Sequence, residues 1–125
     1  MKGATTAMQW IVRITGLVLI ILGVYLWLGR ALSLVPLHML IGLVFVLALW
    51  VLAGIAMRAK VGSGPVLGGI LWGVAVLSLG LVQRRLMPGD MHWVVQVVHL
   101  FVGLAALGVA ERLAKQIRQS APNPL

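Results

Sequence analysis

Residues 91–110 read MHWVVQVVHLFVGLAALGVA, a stretch without a single Lys, Arg, Asp or Glu. At ~1.5 Å per helical residue it spans about 30 Å, the thickness of a bilayer's hydrocarbon core. It also carries polar groups into its middle. On a helix, His92, Gln96, His99, Gly103 and Ala106 recur at intervals of three and four and share one face. Polar side chains are costly inside a membrane and turn towards a bundle interior, a cavity or a bound group. The stretch therefore predicts a membrane span, and its polar stripe is the first place to look for function.

The composition around it agrees. Of the 125 residues, 62% are hydrophobic and 10% charged, with a mean hydropathy of +1.10, far from the balance of a water-soluble domain. The predicted class is all-α: a polytopic membrane protein built as a four-transmembrane-helix bundle with short loops, one domain over residues 1–125. There is no cysteine, which excludes disulfides and thiolate metal or iron-sulfur sites. The formal charge of +8 would suggest nucleic acid in a soluble protein. Here the basic residues flank apolar runs, where they meet lipid headgroups, so the expected partner is the bilayer and not nucleic acid.

Working back from the fourth span, Pro88-Gly89-Asp90 is a turn, with Asp90 a suitable N-cap. The third span is predicted over residues 65–83, after the turn Val61-Gly62-Ser63-Gly64-Pro65. Its Gly64 and Gly68, then Gly69 and Gly73, stand four apart, the spacing that lets helix backbones approach closely. The second span is predicted over residues 34–57, with Ser33 as N-cap, Pro36 in the first turn and His38 near the start. The first span is predicted over residues 10–29, with Arg13 snorkelling to one interface beside Trp10, and a short polar start before it. Lys2 and Arg13 before an apolar run also match a secretory leader, but Gly29-Arg30-Ala31-Leu32-Ser33 offers no clear small-x-small cleavage site, so the segment is retained as a helix. Residues 111–125 form an expected amphipathic tail, ended by Pro122 and Pro124. Trp10, Tyr25, Trp27 and Trp93 suit an interfacial belt, whereas Trp50 and Trp72 lie deeper as packing residues.

Seven basic residues fall on one side of such a bundle (Lys2, Arg13, Arg58, Lys60, Arg112, Lys115, Arg118) and three on the other (Arg30, Arg84, Arg85). The positive-inside rule then predicts a cell (inner) membrane protein with both termini cytoplasmic. Spans two and four run the same way, with His38 and His92 near the outer face. Counted back from Arg58 and Glu111, His38 and His92 are level, and His99 is about 10 Å deeper.

The stretch from His38 to Leu43 and that from His99 to Leu104 share the pattern His-x-x-x-Gly-Leu. A duplicated helix pair would explain this, but the match does not extend into the first and third spans. Gly42 and Gly103, one turn after each histidine, leave room for a flat macrocycle against the helix. A b-type haem in a helical bundle takes an imidazole from each of two facing helices at similar depth. The candidate cofactor site is thus His38, His92, His99, Gln96, Gly42 and Gly103, with at most two of the three histidines as iron ligands. Depth pairs His38 with His92, and pattern pairs His38 with His99. The plainer alternatives are interfacial solvation for His38 and His92 and an interhelical hydrogen bond for His99 and Gln96. A copper site using Met39, Met87 and Met91 is disfavoured, because soft ligands must converge in space.

Independent catalysis is not expected: Asp90 and Glu111 fall at opposite membrane faces, so no carboxylate pair forms, and no nucleophile motif is present. Without acidic residues inside the spans, ion transport is also poorly supported. Through histidines on parallel spans the layout resembles small four-helix membrane cytochromes and cytochrome-type anchor subunits, and that resemblance implies haem b and electron exchange with a quinone or a partner protein. The leading expectation is a small membrane subunit binding haem b, a similar tetrapyrrole or a quinone between helices two and four for electron transfer. The alternative is a cofactor-free scaffold or assembly subunit. Both imply association with other membrane subunits or a homo-oligomer.

Overall fold

In a computed structural model, which describes residues 1–122, the chain forms α1 (Lys2–Trp27), α2 (Val35–Arg58), α3 (Ser63–Val82) and α4 (His92–Ser120). The structure is 86% helical and has no strands among the described residues. All four helices are long and apolar enough to cross a membrane. Residues 123–125, with Pro124, lie outside the described residues.

Successive helices pack side by side, α4 closes the ring against α1, and α2 meets α4 across the diagonal. Among the described residues, no Cα of α1 lies within 8 Å of one in α3. The diagonal contact follows from side-chain size. Ala106, Ala110 and Ala114 form a stripe of small residues along α4, all inaccessible to solvent, against which Phe45, Leu49 and Leu52 of α2 pack. Val12 of α1 and Leu113 and Ile117 of α4 complete this core.

Of the two glycine pairs in α3, one serves close packing. A Cβ on Gly69 would lie 2.8 Å from the Leu113 methyl Cδ1, and one on Gly73 would collide with the Trp50 indole. Gly64 and Gly68 instead face open space. The deeper tryptophans tie neighbouring helices together: Trp50 Nε1 donates to the Ile70 carbonyl at 3.2 Å and Trp72 Nε1 to the Val102 carbonyl at 2.9 Å. A tryptophan buried in an apolar layer needs such an acceptor for its N–H.

The helix ends differ in detail from the expected caps. Ser33 lies in a short 3-10 turn, Leu32–Leu34, and the cap position of α2 is taken by Leu34, with Pro36 in the first turn as anticipated. Met91, not Asp90, occupies the cap of α4, and neither helix start has a side-chain cap hydrogen bond. At the end of α1, Gly29 adopts φ +70°, and paired bonds from Gly29 N–H to Leu26 O and Arg30 N–H to Tyr25 O form a Schellman cap. Lys60 closes α2 in the same way at φ +57°, a conformation in which a side chain is strained.

Two helices outrun the expected spans. α1 begins at Lys2 instead of near residue 10, and α4 continues unbroken to Ser120, through what was expected to be a separate tail. The two extensions stabilise each other. Thr5 is fully buried and Gln9 nearly so, while from α4 Ala114 and Ile117 are buried at the same end. A polar start that looks solvated in isolation is helical here because the end of α4 covers one of its faces.

Candidate functional site

His38 stands in the first turn of α2 and His99 two turns into α4, so both project at the end of the bundle that carries the α1–α2 and α3–α4 loops. Their ring centroids are 6.4 Å apart and the ring planes are inclined at 55°. Both Nδ1 atoms are buried without a hydrogen-bond partner. Two nitrogens in that state are unusual, since leaving a buried polar group unsatisfied costs about 1–3 kcal/mol.

Each ring is backed by a glycine of the other helix in its own hairpin. A Cβ on Gly23 of α1 would stand 3.7 Å from His38 Cε1, and one on Gly80 of α3 would stand 3.6 Å from His99 Cε1. A methyl would fit at either position in ordinary van der Waals contact, so it is small size here that lets α1 and α3 close over the imidazoles. The arrangement repeats across the bundle: Gly23 with His38 in one hairpin, Gly80 with His99 in the other. Neither glycine was singled out by the sequence, because a lone glycine in an apolar run has no partner until the helices are packed.

The remaining candidate residues are placed as follows. Gly42 faces Leu19 of α1, whose Cδ2 would be 3.9 Å from an added Cβ, and beside Gly103 there is open space. Gln96 is half-buried one turn before His99. His92 is the first residue of α4, and its Nδ1 lies 3.1 Å from the Leu86 carbonyl, which fastens it to the preceding loop. The structure therefore brings together His38 and His99 and leaves His92 about 10 Å further along the α4 axis. Met39, Met87 and Met91 are each about half exposed. Among the described residues no group of three or more His, Cys, Asp or Glu could hold a metal ion.

In comparison with known proteins, no family model, no curated protein and no solved structure matches the chain. Function must be argued from these residues alone.

At the opposite end a polar network joins α1 to α4. Arg13 grips Glu111 with two bonds, Nε to Oε1 at 2.6 Å and Nη2 to Oε2 at 2.9 Å. Gln9 donates to Glu111 Oε2 at 2.5 Å and accepts from Arg118 Nη1 at 2.8 Å. The Arg13 guanidinium also lies 5.2 Å from the Trp10 ring centroid. Bidentate pairing of this kind fixes both partners in one geometry. It explains why a lone glutamate can sit within a helical face otherwise rich in cations. The signal was present in sequence as Gln9 and Arg13 one turn apart, but their partner lies about a hundred residues away.

Proposed function

We propose that the protein is a small electron-transferring subunit of a membrane complex, in which His38 and His99 hold a b-type haem or similar tetrapyrrole between α2 and α4. The observation that carries this reading is the 6.4 Å separation of two level imidazoles contributed by parallel helices. At that separation one imidazole from each helix would be available to hold an iron between them. When bound, such a haem supplies a one-electron iron couple.

The chain's own residues have three tasks. His38 and His99 present neutral imidazoles, and Gly23 and Gly80 set the rings by packing against their Cε1 edges. The open space beside Gly103 leaves room for an apolar ring edge along α4. The unpartnered nitrogens support occupancy of the site, since a ligand touching the pair offsets the cost of burying them. By the distribution of basic residues the pair lies near the outer face of the cell membrane, with both termini cytoplasmic.

A titration tests this: hemin added to the folded apoprotein in mild detergent should give a saturating absorption change at one equivalent per chain. A featureless, non-saturating titration, with helicity confirmed by circular dichroism, overturns it.

One observation favours a second reading, a cofactor-free scaffold subunit. Gly64 and Gly68 border an open groove between α3 and α4, a surface on which a partner helix can pack closely.

A further inference from the structure

The end of the bundle opposite the histidines has a groove of about 250 Å³ where α1 starts and α2 and α4 finish. Four basic side chains line it: Lys2 from α1, Arg58 and Lys60 from the end of α2, and Arg118 from α4. Among the described residues no carboxylate does. Only two residues of the chain are acidic, and of these four cations only Arg118 is partly offset, by Glu111. Glu111 is taken up by Arg13 and Gln9, and Asp90 precedes α4 at the other end, about 43 Å along that helix. Met1, Ala59, Ala121 and Pro122 supply apolar surface beside the cations.

Four like charges around one concavity repel unless an anion lies among them, and a wall that is apolar on one side selects an anion with an apolar body. We propose that this groove binds a phosphate group, the chemistry of an anionic phospholipid headgroup whose glycerol backbone meets the apolar surface of Met1, Ala59 and Pro122. Arg58 and Lys60 are its principal cations. Arg118 already gives one nitrogen to Gln9 and supplies charge from the rim. Lys60 enters the groove from a left-handed backbone position that favours glycine, so a glycine there removes the charge while relieving the backbone. This assignment does not depend on the histidine pair.

The experiment is native mass spectrometry of the full chain in mild detergent, titrated separately with dioleoylphosphatidylglycerol, dioleoylphosphatidylcholine and inorganic phosphate. Expected is one saturable phosphatidylglycerol adduct that the double variant Arg58→Gln/Lys60→Gly weakens by about thirtyfold, and no saturable phosphatidylcholine adduct. The double variant Arg84→Gln/Arg85→Gln, at the other end, should bind as the original chain does. Saturable binding of inorganic phosphate with the same loss in Arg58→Gln/Lys60→Gly, and no gain from the lipid, would assign the site to free phosphate. Equal weakening by both double variants, or no saturable adduct with any anion, overturns the proposal. Thermal melting checks that Arg58→Gln/Lys60→Gly is folded.

Discussion

The imidazoles of His38 and His99 come from helices that are not neighbours in the chain, yet their centroids are 6.4 Å apart and each ring rests against a glycine, Gly23 or Gly80, of the adjoining helix. The pair is thus held from four helices at once. A site with that support keeps its geometry only while all four backbones stay close.

Side chains added at the two glycines should therefore act in proportion to size. Gly80→Ala places its Cβ at ordinary van der Waals distance from His99, and Gly23→Ala does the same for His38. Both should fold and take up hemin like the original chain, with stability raised by about 0.5–1 kcal/mol from improved helix propensity. Gly80→Leu and Gly23→Leu should displace the imidazole and weaken hemin binding at least tenfold in an absorption titration. Unchanged affinity in both leucine variants would show that the ring positions do not matter.

A contrast within α3 tests the packing. Gly73→Ala drives a methyl into the Trp50 indole and breaks its bond to Ile70, so it should cost about 1–3 kcal/mol as overpacking. Gly64→Ala and Gly68→Ala meet nothing and should be neutral or slightly stabilising in thermal melts. Equal destabilisation by all three would mean that α3 turns a different face to the bundle.

The Arg13–Glu111 pair predicts non-additivity. Glu111→Gln and Arg13→Gln should each lower the melting temperature, and the double variant should lose much less than the sum, because each single change leaves the other charge facing the network alone. Additive losses would show that the two residues do not act together.

Much of the architecture was legible in sequence because apolar length and turn residues mark spans plainly. α2 was expected over residues 34–57 and runs Val35–Arg58; Gly29 and the turn around Gly62 stop their helices where backbone chemistry requires. What escaped was everything that depends on a distant partner. Residues before 10 and beyond 110 read as lying outside the spans because Gln9, Glu111 and Arg118 look solvated in sequence and come together only in the fold. Depth is affected for the same reason. In sequence Glu111 reads as the level of Arg58, but it lies inside α4, whose Arg118 shares the groove with Arg58. Counted from Arg118, His99 becomes level with His38, and His92 moves out to the loop. The shared His-x-x-x-Gly-Leu pattern marked the two histidines that meet, whereas depth measured from the wrong residue suggested another pair. Gly23 and Gly80 had no local signal at all.

The central claim is that His38 and His99, and not His92, form a ligand-holding pair. The most direct measurement is the reduced-minus-oxidised visible spectrum of detergent-purified protein supplied with hemin, recorded for the original chain and for His38→Ala, His92→Ala and His99→Ala. Expected are sharp haem bands in the original chain and in His92→Ala, and their loss in His38→Ala and His99→Ala. Bands that survive in either of those two variants, or that are absent from a folded original chain, would contradict that claim.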